Sequence, residues 1–477
     1  MRPINEIAAV FESRGYSIYN SICDTMKKFK LNTLCHQAGI IKMDGFSATE
    51  ILTLLIMLPL MALKNIHQLY KSEFRNQAAM KKDALYRLKN NPNFSWRRLL
   101  FKVAKAFKGL VPERDPNDRS VTAFVLDDTT DKRTGYRMEN ISYVFDHVIR
   151  KPVYGFKNLV LAFFDGKTLI PLDFTLHSEK KLPRKKLKKQ YKKNTDPRSP
   201  GGKRRKEMKD SKIVQGLAMI KRAVKNGFFP DYVLCDSWFT SKEFIQTIRE
   251  IKNGAMHIIA GIRNDGRKYN FLGQMFNANE IISKLKDVGS AHRNRKWNVR
   301  YYEAAVHYEG IGDVQLFMCR YPGQKKWRVF ISTNTALTFV EMMEIYGIRW
   351  TIEVMFRETK QYLELGSCQS QDFDAQIASV TITFMLYIFL AYLKRMESYE
   401  TMGELFRFIQ QDCCEKNLAE RLWDLFEELL AFMIESITSH GPMDITELQQ
   451  SEEYRYVKEI FKSSFLFEQM DSVNKSA

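Results

Sequence analysis

The chain has seven cysteines in 477 residues and no C-x-x-C pair among them. Cys23, Cys35, Cys235, Cys319, Cys368, Cys413 and Cys414 are scattered and odd in number, which argues against a disulfide framework or a zinc site and fits a reducing cytoplasm. Long apolar runs are also lacking. Ile51 to Leu63 and Ile382 to Leu393 fall well short of the roughly 20 residues of a spanning helix, so both read as buried helices and no membrane partner is expected. No apolar core follows the first basic residue of MRPINEIAAVFESRG, so export is not expected. The eight histidines form no metal-spaced cluster, and the absence of G-x-x-x-x-G-K-[ST] leaves an ATP-driven motor unsupported. No internal repeat is present.

Carboxylates are scarce beside cations: 55 Asp and Glu face 74 Lys and Arg, a formal net charge of +19. A hydrophobic fraction of 45% is that of an ordinary globular protein, so disorder is not the default. The excess of cations suits displacement of counterions from a polyphosphate, which makes nucleic acid the first partner to consider.

Residues 1–118 carry apolar residues at helical spacing in NEIAAVFESRGYSIYNSI and SATEILTLLIMLPLMAL, with Ser47 as cap of the second helix. This region is predicted to be helical and to bind DNA. Its basic-aromatic end, with Tyr86, Trp96, Arg97 and Arg98, fits either a DNA contact or an amphipathic helix with a solvated basic face. From residue 120 the period changes. VTAFVLDDTT reads as a buried strand ending on two carboxylates, and KNLVLAFF and KTLIPLDFTLH flank Asp165-Gly166 as a hairpin with a type I′ turn.

Residues 178–212 hold 16 Lys or Arg against 4 Asp or Glu, and with their Pro and Gly content they predict a mobile loop that orders, if at all, on DNA. DYVLCDSWFTSKEFIQTIREIKN parses as strand, acidic turn and helix capped by Ser241, with Asp236 closing the strand. The α/β core is thus expected over 119–263 and 326–395. A β-rich insertion is expected over 264–325, and a helical C-terminal region over 396–477 could mediate dimerisation.

Phosphodiester cleavage by two divalent cations needs several carboxylates converging from separate elements. Asp127 or Asp128 at one strand end, Asp236 at another and Glu353 on a following helix could supply them. In YGIRWTIEVMFRETK, Tyr346, Arg349, Glu353 and Lys360 are spaced Y-x2-R-x3-E-x6-K. At about 100° per residue they fall within one sixth of a helical wheel, so one face offers a carboxylate flanked by two cations and a phenol. A salt-bridge stripe on an exposed helix would carry the same spacing.

Together with LDDTT, the DG hairpin before IPLDF and VLCDSWFTS, this pattern resembles the DDE transposases of bacterial insertion sequences, in the YREK-signature group, insertion sequence family four. The resemblance spans roughly residues 80 to 395. It implies a ribonuclease-H-like catalytic core with an inserted β-rich subdomain, and two Mg²⁺ or Mn²⁺ ions per site. It makes Asp236 and Glu353 metal ligands and gives Tyr346, Arg349 and Lys360 the backbone beside the scissile phosphate. The first ligand fits Asp127 or Asp128; Asp127 is favoured because it directly follows the apolar Phe124-Val125-Leu126 run. Members of the group hold a flipped base on an aromatic of the insertion. Trp297 is the candidate, with Arg293, Arg295, Lys296 and Arg300 beside it for phosphates, while a core tryptophan is the other reading.

The function so implied is cut-and-paste DNA transposition in a bacterial cytoplasm, at the nucleoid. The enzyme would bind terminal inverted repeats, cleave a strand and join the freed 3′-OH to target DNA, working as a homodimer. A structure-specific nuclease or resolvase on the same core, and a non-catalytic domesticated DNA-binding protein, are the alternatives.

Overall fold

The computed structural model describes residues 22–75, 79–112, 120–263, 265–397 and 399–438, and beyond these Gln450, Arg455, Met470 and Val473 singly. The first expected helix, in NEIAAVFESRGYSIYNSI, lies almost wholly outside the described residues, as does most of the C-terminal region after 438.

The chain begins with helices α1 (Ile22–Lys28), α2 (Leu31–Ala38), α3 (Ala48–Met57), α4 (Ile66–Leu69), α5 (Lys82–Lys89) and α6 (Trp96–Leu110). Strands β1 (Ala123–Lys132), β2 (Ser142–Asp146), β3 (Lys151–Phe164) and β4 (Leu169–His177) follow. Next come helices α7 (Arg184–Leu187), α8 (Pro200–Glu207) and α9 (Lys212–Lys225), then strand β5 (Tyr232–Cys235), helix α10 (Lys242–Glu250) and strand β6 (His257–Ile262). Strands β7 (Lys268–Phe271) and β8 (Gln274–Asn277), helix α11 (Ala278–Val288) and strands β9 (His292–Asn294), β10 (Val299–Tyr308), β11 (Gly312–Arg320) and β12 (Arg328–Ser332) complete the β-rich part. Helices α12 (Phe339–Gly347), α13 (Trp350–Tyr362), α14 (Phe373–Glu397) and α15 (Met402–Thr438) close the described chain. Two compact units result, Met1–Pro112 with Glu358–Ala477, and Glu113–Arg357.

The first unit is helical and built around α14, which packs against α1, α3, α5, α6 and α15. Phe29 meets Phe389 and Tyr392 edge-on at 4.9 and 5.4 Å. By length and composition α14 is long and apolar enough to cross a membrane, but 94% of its apolar window is buried inside the protein. It extends well beyond the dozen residues of its apolar run because polar residues interrupting the pattern are buried and bonded. Gln376 donates to the Cys368 and Ser370 carbonyls at 3.1 and 2.6 Å, and the Thr381 hydroxyl donates to the Ile377 carbonyl. Ser47 and Glu50 form the capping box at the start of α3, as Ser47's position predicts. Trp96 is buried on the apolar face of α6 with Leu99, Leu100, Val103 and Phe107, which favours the amphipathic-helix reading of that stretch over a DNA contact by Trp96.

The second unit is a mixed sheet with one continuous path, β2-β3-β1-β5-β6-β12-β11-β10-β7-β8, with β4 on β3 and β9 on β10. β3 runs antiparallel to both of its neighbours β1 and β4, while β5 runs parallel to β1 and β6 parallel to β5. Ala123 to Leu126 and all of β5 are buried, the continuous apolar pattern of strands covered on both faces. Gly216 lets α9 press onto β1: a Cβ there would stand 2.7 Å from Leu126 Cδ2.

The strands of 264–325 continue the core sheet, since β11 pairs with β12 and β12 with β6. Two expectations need correction. The hairpin turn is centred on Gly166-Lys167 rather than Asp165-Gly166: the Asp165 amide donates to the Thr168 carbonyl at 3.1 Å, φ is positive at Gly166 only, the type II′ pattern rather than type I′, and Asp165 Oδ1 accepts from the Lys167 and Thr168 amides at 3.0 and 2.8 Å. The basic run 178–212 is not merely a solvated loop. It contains α7 and α8, and buried Arg204 lies 4.7 Å over the Phe174 ring and 3.8 Å from Asp173, while Arg205 pairs with Glu139 at 2.8 Å. Counter-charges distant in sequence hold this run, and its local composition cannot reveal them.

Candidate active site

Parallel pairing stops at Leu126 opposite Cys235, so Asp127 and Asp236, the next residue of each segment, stand side by side where β5 ends; β1 does not end on its two carboxylates as expected but runs on to Lys132 along β3. Asp236 lies just past β5, where its Oδ1 accepts the Trp238 amide at 2.8 Å and shapes the turn into α10, whose N-cap is Ser241 as expected. Asp127 and Asp128 point to opposite faces of β1. Asp127 accepts Nη1 of Arg349 at 2.7 Å, and the other guanidinium nitrogen reaches Glu353 at 2.6 Å. Asp128 instead meets Lys212 at 2.7 Å and Lys157 at 3.5 Å, with Glu179 sharing Lys212 at 3.0 Å. Asp127, Asp236, Arg349 and Glu353 are thereby brought together, and Asp128 is held by lysines on the other face.

Burial is the main force on the Asp127 carboxyl and pushes it up to about 7, against the pull of Arg349, with Asp236 and Asp128 adding repulsion. Burial likewise raises the Tyr346 phenol. Its hydroxyl makes a long 3.5 Å approach to the Cys235 carbonyl, and its ring packs edge-on against Phe330 at 4.8 Å.

The single helical face expected for Tyr346, Arg349, Glu353 and Lys360 is not how the chain is built. α12 ends at Gly347, and tight i to i+3 bonds from Ile348, Arg349, Thr351 and Ile352 carry the chain into α13. Tyr346 belongs to α12, Arg349 to the junction, and Glu353 and Lys360 to α13. Lys360 is exposed and lies past Arg357, where the two units divide.

Arg295, Lys296 and Trp297 occupy the turn from β9 to β10. Lys296 reaches Glu344 of α12 at 2.5 Å, and Trp297 is half-buried, with its amide bonded to Asn294 and its indole N–H buried without a hydrogen-bond partner among the described residues. Sequence reasoning missed Lys157 and Lys212, whose partner Asp128 is tens of residues away, and Trp238. That indole is 51% exposed beside Asp236, with Arg263 at 4.1 Å and Lys212 at 5.7 Å from its ring. A tryptophan two residues past a candidate ligand was the available signal.

Two carboxylates, Asp127 and Glu353, share the Arg349 guanidinium, Asp236 stands beside Asp127, and carboxylate oxygens are the donors that hard divalent cations take. Among the described residues no three His, Cys, Asp or Glu side chains stand close enough to share one ion. Arg349 bridges Asp127 and Glu353 as a cation would. The chemistry of these donors, rather than their present spacing, fits a divalent metal.

No curated protein matches the chain significantly. A family model does: residues 62–274 match that of the DDE superfamily endonucleases, which supports a DDE transposase-type family and a nuclease-type enzyme acting on DNA.

Proposed function

We propose that the chain is a DNA transposase of the YREK-signature group, which binds the terminal inverted repeats of an insertion sequence and catalyses strand cleavage and strand transfer. The observation that carries this reading is the convergence of Asp127 and Asp236 on adjacent parallel strands with Glu353, tied to Asp127 through Arg349. The order β4-β3-β1-β5-β6, with three antiparallel strands followed by two parallel to β1, is the sheet that a ribonuclease-H-like core would have. The β-rich segment 264–325 is its insertion, and the helical region after 396 serves a homodimer on two DNA ends.

Asp127, Asp236 and Glu353 would hold two Mg²⁺ or Mn²⁺ ions, which when bound activate the nucleophile and stabilise the leaving oxygen. Arg349, freed from Glu353, turns its fork to a phosphate oxygen, and Lys360 adds a point charge on the backbone. Tyr346, held against Phe330, fixes the approach of the strand to the acids. Arg295, Lys296 and Trp297 receive the backbone and an unpaired base beside the cut. Asp128 stays outside the ligand set, neutralised by Lys212 and Lys157.

The test is incubation with Mg²⁺ and a duplex carrying the repeats that flank the gene. End cleavage followed by joining of the 3′-OH to a second DNA is expected. Cleavage of branched DNA without joining would indicate a structure-specific nuclease instead, and cleavage undiminished by Asp236→Ala would overturn the assignment.

A further inference from the structure

The β10 edge of the sheet carries arginines in cross-strand register. Arg300 is the Cα partner of both Arg293 on β9 and Arg320 on β11, so three guanidinium groups leave one face side by side. At a strand spacing of about 4.8 Å, the outer two stand about 10 Å apart. Like charges placed directly opposite destabilise a sheet. Among the described residues no carboxylate pairs with any of the three; Arg320 lies 5.0 Å over the Trp327 ring. Arg293 and Arg300 are exposed and Arg320 half-buried, and with Asn298, Tyr321 and Gln324 they line a cavity of about 400 Å³. A rank of cations that costs stability and finds no counter-charge among the described residues suits an anionic ligand.

Strand polarity places this rank at the end of the sheet where the acids stand. β5 and β6 run parallel and finish there; β12 runs antiparallel to β6, β11 to β12 and β10 to β11. The end of β11, with Arg320, and the start of β10, with Arg300, therefore share the end that carries Asp127 and Asp236. The pairs Cys235 with Ala260, Ala260 with Ile331, Ile331 with Leu316 and Leu316 with Ala304 mark one face, and the two-residue alternation puts Arg300 and Arg320 on it. Asp236 is on the other face, so the acids and the arginines occupy the two rims of one sheet end. Asp236 is level with Phe317 and Glu303, three residues short of Arg320 and Arg300, so along the sheet Arg320 is about 17 Å from Asp236, Arg300 about 22 Å and Arg293 about 26 Å. At 3.4 Å per nucleotide these correspond to about five to eight nucleotides from a phosphate at the acids.

We propose that Arg293, Arg300 and Arg320 form a phosphodiester clamp that grips the DNA backbone about five to eight nucleotides from the bond being cut. It rests on the reading of the protein as a DNA-cleaving enzyme. The clamp sets the register of the duplex without reading bases.

The test uses the full chain, first in EDTA so that binding is read without cleavage. Two duplexes span the cut site, one extending about ten base pairs to each side and one ending about three base pairs away on each side. For Arg300→Gln and Arg320→Gln the slope of log K against log salt on the long duplex is expected to flatten by about 0.9 each. Arg300→Lys keeps most of the slope, and the short duplex is bound equally by all variants and cleaved equally once Mg²⁺ is added. Unchanged slopes on the long duplex, with wild type still cleaving, would overturn the clamp and leave the enzymatic reading standing. Equal loss on short and long duplexes would also overturn it, since a misfolded or generally weakened site would behave that way. A wild-type protein that binds neither duplex would overturn both.

Discussion

Asp127→Asn in metal-free protein is a perturbation whose sign is set by burial. The carboxyl is pushed up to about 7 from an ordinary value of 3.8, so the folded protein resists its ionisation. Between these two values the unfolded chain has already released the proton while the folded one keeps it, so stability falls as pH rises through this window and levels off above about 7. A displacement of that size corresponds to a ceiling of about 4 kcal/mol. The side chain is still 18% exposed, and water reaching it lowers the expected penalty to about 2 kcal/mol. Asn mimics the protonated form and escapes the penalty. In EDTA, thermal unfolding from pH 4 to 8 should show the variant drawing ahead of wild type from pH 4 to 7 and holding its lead above that. Mg²⁺ should then raise the melting temperature of wild type well above that of the variant. A variant less stable than wild type at pH 8, or a difference that does not change with pH, would refute the reasoning.

Asp173 is fully buried with Arg222 at 2.7 Å and Arg204 at 3.8 Å, so Asp173→Ala leaves two cations uncompensated and should cost about 3–5 kcal/mol in chemical denaturation. Gly216→Ala places a Cβ 2.7 Å from Leu126 Cδ2 and should destabilise by about 1–3 kcal/mol, with reduced cleavage because β1 carries Asp127; a neutral result would mean that α9 and β1 do not press together. Arg349→Lys loses the fork that spans Asp127 and Glu353 and should lower the cleavage rate while binding of long duplex is kept, measurable by single-turnover cleavage beside anisotropy.

Local pattern made much of this molecule legible. Alternation and apolar runs located β1, the second half of β3, β4 and β5, and side-chain chemistry located the caps Ser47 and Ser241. The preference for Asp127 over Asp128, drawn from its place after an apolar run, agrees with the side on which Arg349 and Glu353 lie. What escaped depends on partners far along the chain. Arg204 and Arg205 look like solvated charge until Asp173 and Glu139 are in place, and Lys212 looks like a surface residue until Asp128 is. The break between α12 and α13 escaped because Gly347 and the residues after it continue a helical pattern, and only the i to i+3 bonding reveals the tightened junction.

The most direct test of the central claim is Mg²⁺-dependent end cleavage by four single variants under conditions where each still binds DNA. Asp127→Asn, Asp236→Asn and Glu353→Gln should each abolish cleavage, while Asp128→Asn, whose carboxylate faces Lys212 and Lys157, should retain it. Cleavage surviving in Asp127→Asn and lost in Asp128→Asn would contradict the account, because the carboxylate that works would then lie on the other face of β1.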